Sequence, residues 1–205
     1  MITLKFVEDD HTYWWGDRRL PSVTQVLQSA GLVDTTFFNE EAAVRGTYVH
    51  RAAELLDGGN LDEETIDPVV APYLEAYQKF LKMYGPKWSA IETRLADPDT
   101  GFAGTVDRVG TLGVGKSRKL YVVDLKSGSP APFHAIQIAG YSALVVRDRI
   151  KKGISPSHAV KVGRLAVYLT KKGSFTVKEY TDVKDKLIFQ SALNLTAFKE
   201  SHGLS

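Results

Sequence analysis

Cysteine is absent from all 205 residues of the chain. A protein without cysteine cannot form a disulfide bond, a zinc–thiolate site or a cysteine-ligated iron–sulfur cluster. Any metal chemistry must therefore use carboxylate, imidazole, carbonyl or water ligands, and an iron–sulfur cofactor is excluded.

Long apolar runs are also absent. No stretch reaches the roughly 18 consecutive apolar residues that a membrane-spanning helix needs. The opening segment, residues 1–6, lacks the long apolar core of a secretory signal peptide. We therefore expect a cytoplasmic protein with no membrane partner. A chain of 205 residues that is 43% hydrophobic is long enough to bury the core of one domain.

The net charge of +2 conceals two halves of opposite sign. Residues 1–100 hold 9 Lys and Arg against 17 Asp and Glu, whereas residues 101–205 hold 17 against 7. A basic half predicts a polyanionic partner. Its densest basic cluster provides candidate phosphate contacts, and it comprises Arg147, Arg149, Lys151 and Lys152.

Two consecutive predicted strands, residues 102–112 and 119–126, each carry one carboxylate in an apolar setting. The first contains Asp107, and the second ends in Asp124-Leu125-Lys126. Side chains two residues apart on a strand project from the same side, so Asp124 and Lys126 should face one site. Burying a lone carboxylate is costly, and a metal ion with a neighbouring lysine would offset that cost.

A pair of carboxylates with open coordination positions is the arrangement that Mg²⁺ prefers. Lys126 could then orient or deprotonate an attacking water and stabilise charge on a phosphate. Ordinary ion pairs at strand ends are the alternative interpretation of these residues. The wider pattern favours a site, because Glu92 lies on an earlier predicted strand and Gln137 and Tyr141 share a face of the next predicted helix.

Taken together, these motifs resemble the PD-(D/E)XK nuclease superfamily, RecB-type branch. Within that branch the chain is similar to phage-encoded and mitochondrial genome-maintenance exonucleases. That group also carries a histidine on an upstream helix, and the segment from Gly46 to His50 fits it. The matching motifs span residues 46–141. The resemblance implies a restriction-endonuclease-like α/β fold, with a central mixed β-sheet flanked by helices.

The resemblance also implies an activity: a Mg²⁺- or Mn²⁺-dependent DNA exonuclease of phage or bacterial DNA recombination, repair or degradation. The implied metal ligands are His50, Asp107, Asp124 and the carbonyl of Leu125. Lys126, Gln137 and Tyr141 would act on the phosphate or the water, and Glu92 would aid metal binding or hold Lys126 or Arg108. Glu54 is a candidate to orient His50. Arg108 and Ser127 join the basic cluster as expected nucleic-acid contacts.

We expect a single domain, with a hairpin and helical part in residues 1–85 and a catalytic α/β core in residues 86–205. The hairpin should turn at Gly16-Asp17. Helices are predicted over residues 22–27, 38–56, 67–85, 132–149 and 182–199, and further strands over 2–6, 88–96, 158–170 and 174–180. The last helix should bury a stripe formed by Val183, Leu187, Ile188, Leu195 and Phe198.

Two alternatives remain open from the residues alone. An endonuclease of the same fold would use identical catalytic residues, and a DNA-binding protein could keep the fold without catalysis. The residues also leave open the strand polarity, the choice between single and double strands, the choice between DNA and RNA, and the oligomeric state.

Overall fold

A computed structural model describes residues 3–33, 39–113 and 118–204 of the chain. A small antiparallel sheet opens the fold, with strand order β1-β2-β3. Gly16, with a φ of 61°, makes the left-handed turn between β2 and β3. The predicted hairpin is therefore confirmed, and its strands are β2 (Thr12–Trp15) and β3 (Arg18–Leu20), with β1 (Leu4–Val7) pairing on the other side of β2.

A second sheet of five strands forms the centre of the molecule. Its order is β4-β5-β6-β7-β8, and each neighbouring pair is antiparallel except β6 with β7. The predicted α/β architecture with a mixed sheet is confirmed. The strands are β4 (Lys87–Asp97), β5 (Phe102–Leu112), β6 (Lys119–Lys126), β7 (Gly163–Leu169) and β8 (Phe175–Glu179).

One predicted strand begins too early. The segment from His158 was assigned to a strand, but Pro156–Ala159 forms a short helix and the strand starts only at Gly163. Pro156 occupies the first turn of that helix, where its fixed φ and missing N–H are favourable.

In the part of the chain that the structure describes, six α-helices surround the central sheet. Ser22 caps α1 through a reciprocal capping box with Gln25, and Asn39 caps α2. A short 3₁₀ turn lies between α2 and α3 at Glu63–Thr65. The helices are α1 (Val23–Ser29), α2 (Glu40–Asp57), α3 (Ala71–Tyr84), α4 (Phe133–Lys151), α5 (Pro156–Ala159) and α6 (Lys184–Ser201). Phe38, where the second helix is predicted to begin, lies outside the described residues.

The helices divide between the two faces of the sheet. Helices α1, α4 and α6 share a core with Val122 of β6, whereas α2 and α3 share a core with Val123 and Leu125 of the same strand. Alternate residues of β6 are thus buried on opposite faces, which explains its nearly continuous apolar sequence. The site described below lies between these two helical layers.

Helix α6 buries a different face from the one predicted. Leu187, Leu195 and Phe198 are exposed, and the buried residues are Phe189, Ala192, Leu193 and Thr196. Both sets have helical spacing, so periodicity could not choose between them. The buried face is determined by Gly140 of α4, because the Phe189 ring packs against this glycine. A Cβ at position 140 would lie 2.6 Å from the ring.

Across the described residues, none of the helices is long and apolar enough to cross a bilayer.

His134 links the start of α4 to β7 and should make stability depend on pH. Its Nδ1 lies 3.0 Å from the Tyr168 hydroxyl, and burial, assisted by the positive charge of Lys126, lowers the pKa of His134 to about 4. The folded state therefore binds fewer protons than the unfolded chain between pH 6.5 and 4. The stability that the neutral, buried imidazole of His134 contributes is complete above the pKa of histidine in the unfolded chain. It is lost as the pH falls towards 4.

Replacing His134 by glutamine should flatten the loss of stability on acidification. We expect the wild-type protein to lose up to roughly 3 kcal/mol more than His134→Gln between pH 7 and pH 4. Urea unfolding at both pH values measures the difference. Parallel pH profiles for the two proteins would contradict the assignment of a neutral, buried imidazole.

Candidate functional site

Three carboxylates lie in one row across β4, β5 and β6. Arg108 of β5 pairs with Ile91 of β4 on one side and with Val123 of β6 on the other. One further step of the same register places Asp107 beside Glu92 and beside Asp124. The ladder between β5 and β6 ends at Arg108, and Asp107 Oδ2 instead accepts the backbone N–H of Leu125 at 2.8 Å. The row therefore occupies the point where these two strands separate.

Glu92 adopts an unusual backbone conformation within β4. Its φ is 43°, in the left-handed region that residues other than glycine rarely occupy. The ladder to β5 passes directly from Ile91 to Thr93 and leaves Glu92 unpaired with that strand. Backbone strain of this kind is often found where a side chain must be aimed at a functional site.

His50 reaches this row from α2. Its Nε2 lies 3.0 Å from the carbonyl oxygen of Leu125, and its Nδ1 lies 3.4 Å from Asp107 Oδ2 and 3.8 Å from Glu92 Oε1. One potential ligand atom from each of His50, Glu92 and Asp107 lies within 4.8 Å of the others. The structure therefore brings together three of the residues that the sequence indicated.

The electrostatics of this cluster favour a positive charge. Burial alone would lower the pKa of His50, but Asp107 and Glu92, with a smaller effect of Asp124, outweigh it and raise the pKa to about 9. A proton on the imidazole or a bound cation can supply this positive charge. A set of one imidazole and two carboxylates suits Mn²⁺ and also admits Mg²⁺.

Lys126 forms the second part of the site. Its Nζ lies 2.7 Å from Asp124 Oδ2 and donates to Gln137 Oε1 at 2.8 Å. The Gln137 amide in turn donates to Thr24 Oγ1 at 3.2 Å and to the Tyr141 hydroxyl at 3.4 Å. An ammonium group has three N–H bonds, so at least one remains available for a substrate or a water.

Asp124 is the most deeply buried carboxylate of the row, at 2% exposure. Burial raises its pKa, whereas Lys126 opposes the rise. Oδ2 is close enough to Lys126 for an ion pair, yet no described donor is directed at it as a hydrogen bond. A buried carboxylate oxygen with this incomplete pairing is suited to a metal ion. The residues present therefore fit a divalent cation.

The observed contacts bear on two predicted roles. The carbonyl of Leu125, expected to bind metal, lies 3.0 Å from His50 Nε2 and so orients the imidazole; its role as a metal ligand stays a prediction. Glu54, expected to orient His50, forms an ion pair with Arg51 at 2.6 Å, and in the described part of the chain it makes no hydrogen bond to His50.

The prediction that Arg108 contacts nucleic acid is wrong, because its side chain is 0% exposed. Its Nε donates to Asp57 Oδ2 at 2.6 Å and its Nη1 donates to Glu92 Oε1 at 2.8 Å. Arg108 thus holds Glu92 beside His50 and Asp107. The other predicted role of Glu92, holding Arg108, agrees with this contact.

Asp57 belongs to the site although the sequence pattern did not indicate it. Its carboxylate is 2% exposed and accepts hydrogen bonds from Arg108, from the Tyr77 hydroxyl at 2.7 Å and from Trp88 Nε1 at 3.2 Å. One signal was available in the sequence. An acid in the last turn of a helix opposes the helix dipole, which suggests that a buried cation holds it there.

The basic cluster lies far from the carboxylates. From Gln137 to Lys151, α4 extends for about 21 Å. Arg147 pairs with Asp97 and Asp99, and Lys152 pairs with Asp148 at 2.7 Å. The structure therefore does not bring the cluster to the site, although a long strand could still reach it. In contrast, Ser127 lies beside α2, with its Oγ 3.5 Å from the Cβ position of Gly46.

Comparison with known proteins adds no family assignment. No protein-family model matches the chain, and no curated protein matches it in sequence. The function is accordingly argued from the geometry of the site.

Proposed function

We propose that the protein is a divalent-metal-dependent nuclease that hydrolyses phosphodiester bonds in DNA, with exonuclease action as the first expectation. The observation that carries the proposal is the row of Glu92, Asp107 and Asp124 on three neighbouring strands, flanked by His50 and Lys126. The arrangement is compatible with a restriction-endonuclease-like fold, which we include in the proposal. A role in DNA recombination, repair or degradation follows from the resemblance to RecB-type nucleases, and a cytoplasmic setting is part of the same proposal.

His50, Glu92 and Asp107 would hold the cation, and Asp124, whose Oδ2 is not engaged by any hydrogen-bond donor among the described residues, would join them. A bound Mg²⁺ or Mn²⁺ would polarise the scissile phosphate and lower the pKa of a bound water.

The chain's own residues position the reacting groups. Gln137 fixes the Lys126 ammonium, whose free N–H can hold the attacking water or a phosphate oxygen. The Tyr141 hydroxyl is protonated at neutral pH, as is usual for tyrosine, and can donate a hydrogen bond; burial raises its pKa further above that usual value. The water loses one proton as its oxygen bonds to phosphorus, the P–O ester bond breaks, and the leaving oxygen takes up one proton, so protons are conserved overall.

End-labelled linear DNA tests the proposal directly. Single and double strands are incubated with Mg²⁺, Mn²⁺ or EDTA, alongside a closed circle and a labelled RNA strand. We expect metal-dependent loss of linear DNA, sparing of the circle, and no cleavage by Asp124→Asn, which removes one negative charge from the row. The order in which products appear reports the strand polarity.

Three other outcomes would change the assignment. Cutting of the closed circle would identify an endonuclease, and preferred cleavage of RNA would change the substrate. Binding of DNA without cleavage in either metal would contradict the catalytic proposal and favour a binding protein.

A further inference from the structure

A cavity lies beside the candidate catalytic side chains, between the small N-terminal sheet, α1 and β5. Its volume is about 290 Å³. The floor includes the buried Tyr13 and Tyr141, and the rim includes the exposed His11 and Gln28. The cavity is therefore open to solvent at one end and closed at the other, as a ligand pocket is.

The cavity is connected to the catalytic groups through one side chain. Thr24 and Tyr141 both form part of its wall, and both accept hydrogen bonds from the Gln137 amide. The opposite end of the same amide holds Lys126 at 2.8 Å. Thr105, also in the wall, precedes Asp107 by two residues on β5. A group bound in the cavity would thus lie next to a phosphate held at the row of carboxylates.

The lining residues select against charged ligands. Among the described residues that line the cavity there is no Lys, Arg, Asp or Glu. A phosphate would lack a cation there and a metal ion would lack a carboxylate. The wall provides hydroxyl and amide groups together with the rings of His11 and Tyr13. These two rings pack edge to face, with their centroids 5.9 Å apart. This chemistry suits a flat, neutral group with hydrogen-bonding edges.

We propose that this cavity receives the nucleoside adjacent to the scissile phosphate, and that the substrate is therefore a single strand or a frayed end. The inference rests on the proposed nuclease function. A base in a duplex is stacked and has its pairing edge occupied, so it must leave the duplex before it can enter a pocket. Binding of an unpaired base by aromatic and polar groups is also tolerant of sequence.

The test compares a DNA strand of normal composition with one that carries two abasic nucleotides at each end. Affinity is measured by fluorescence anisotropy with Ca²⁺ replacing Mg²⁺, and KM and kcat are measured with Mg²⁺. Gln28→Trp places a large ring at the rim of the cavity, and Gln78→Trp is the matched control on an exposed position of α3. His11→Asn removes the imidazole while tolerating the φ of 52° at that position.

For the wild-type protein we expect about tenfold weaker binding and higher KM for the strand with abasic ends. Gln28→Trp should weaken binding of the normal strand to a similar degree and remove most of the difference between the two strands. His11→Asn should act in the same direction, whereas Gln78→Trp should behave as wild type.

Equal affinity and equal KM for the two strands would overturn the inference and leave the nuclease function intact if both strands are cleaved. Discrimination in binding with no cleavage would support the nucleoside cavity and overturn the proposed hydrolysis. Faster cleavage of a blunt duplex than of the single strand would also contradict the inference.

Discussion

Replacing Asp57 by alanine is expected to lower the free energy of unfolding by about 3–5 kcal/mol. Arg108 is completely buried, and Asp57 is its deepest partner at 2.6 Å. Removing the carboxylate leaves the guanidinium with the partly exposed Glu92 as its remaining acidic partner among the described residues. The hydroxyl of Tyr77 and the indole of Trp88 lose their acceptor as well. Urea unfolding at neutral pH measures the change.

Glu54 offers a matched control from the same helix. It also pairs with an arginine at 2.6 Å, but Arg51 is 63% exposed. Ion pairs in water contribute about 0–1 kcal/mol, so Glu54→Ala should change stability little. Equal losses in the two variants would contradict the description of Asp57 as the buried counter-ion of Arg108.

The ion pair between Asp57 and Arg108 should also influence metal binding. Because Arg108 positions Glu92, the milder variant Asp57→Asn should weaken divalent-metal affinity by about 10–100-fold, as loss of a supporting contact does in other metal sites. In this role Asp57 and Arg108 are positioning residues that do not touch the metal.

Lys126→Met is expected to lower kcat by about 10²–10⁴-fold with a small change in KM. Methionine keeps much of the length and apolar volume of lysine but removes the ammonium that Gln137 and Asp124 hold. Removing an interaction that stabilises the transition state more than the bound substrate lowers kcat and leaves KM nearly unchanged. Initial rates on end-labelled single-stranded DNA measure the effect, and thermal unfolding shows whether the variant is folded.

Lys79→Met provides the comparison for that variant. Lys79 forms an ion pair with Glu75 at 2.6 Å on α3, is 53% exposed and is not part of the site. Its replacement should leave kcat unchanged. If Lys126→Met is folded and retains the wild-type kcat, Lys126 has no part in the chemistry.

Much of the fold could be predicted from the sequence, because the strongest sequence signals are local. The limits of β5 and β6 follow from apolar segments bounded by turn residues, and the start of α1 follows from its capping box. The buried face of α6 could not be predicted from the sequence. It depends on whether Phe189 or Phe198 meets the space left by Gly140, which is a tertiary contact.

The candidate site likewise contains residues that local spacing predicts and residues whose roles depend on tertiary contacts. Asp124, Lys126, Gln137 and Tyr141 were indicated by spacing within 18 residues of chain, and the structure places them in one network. The role of Arg108 could not be read in this way, because its partner Asp57 lies 51 residues away. Arg108 was expected to contact nucleic acid, whereas its burial beside Asp57 makes it an internal counter-ion.

Binding of Mn²⁺ to the metal-free protein, measured by isothermal titration calorimetry, tests the central claim most directly. We expect saturable binding by the wild-type protein and its loss in Asp107→Asn, since Asp107 is the central carboxylate of the row and is 3.4 Å from His50. Asp17→Asn, which changes an exposed acid of the hairpin, should bind as the wild type does. No binding by the wild-type protein, or equal binding by Asp107→Asn, would contradict a metal site formed by His50, Glu92 and Asp107.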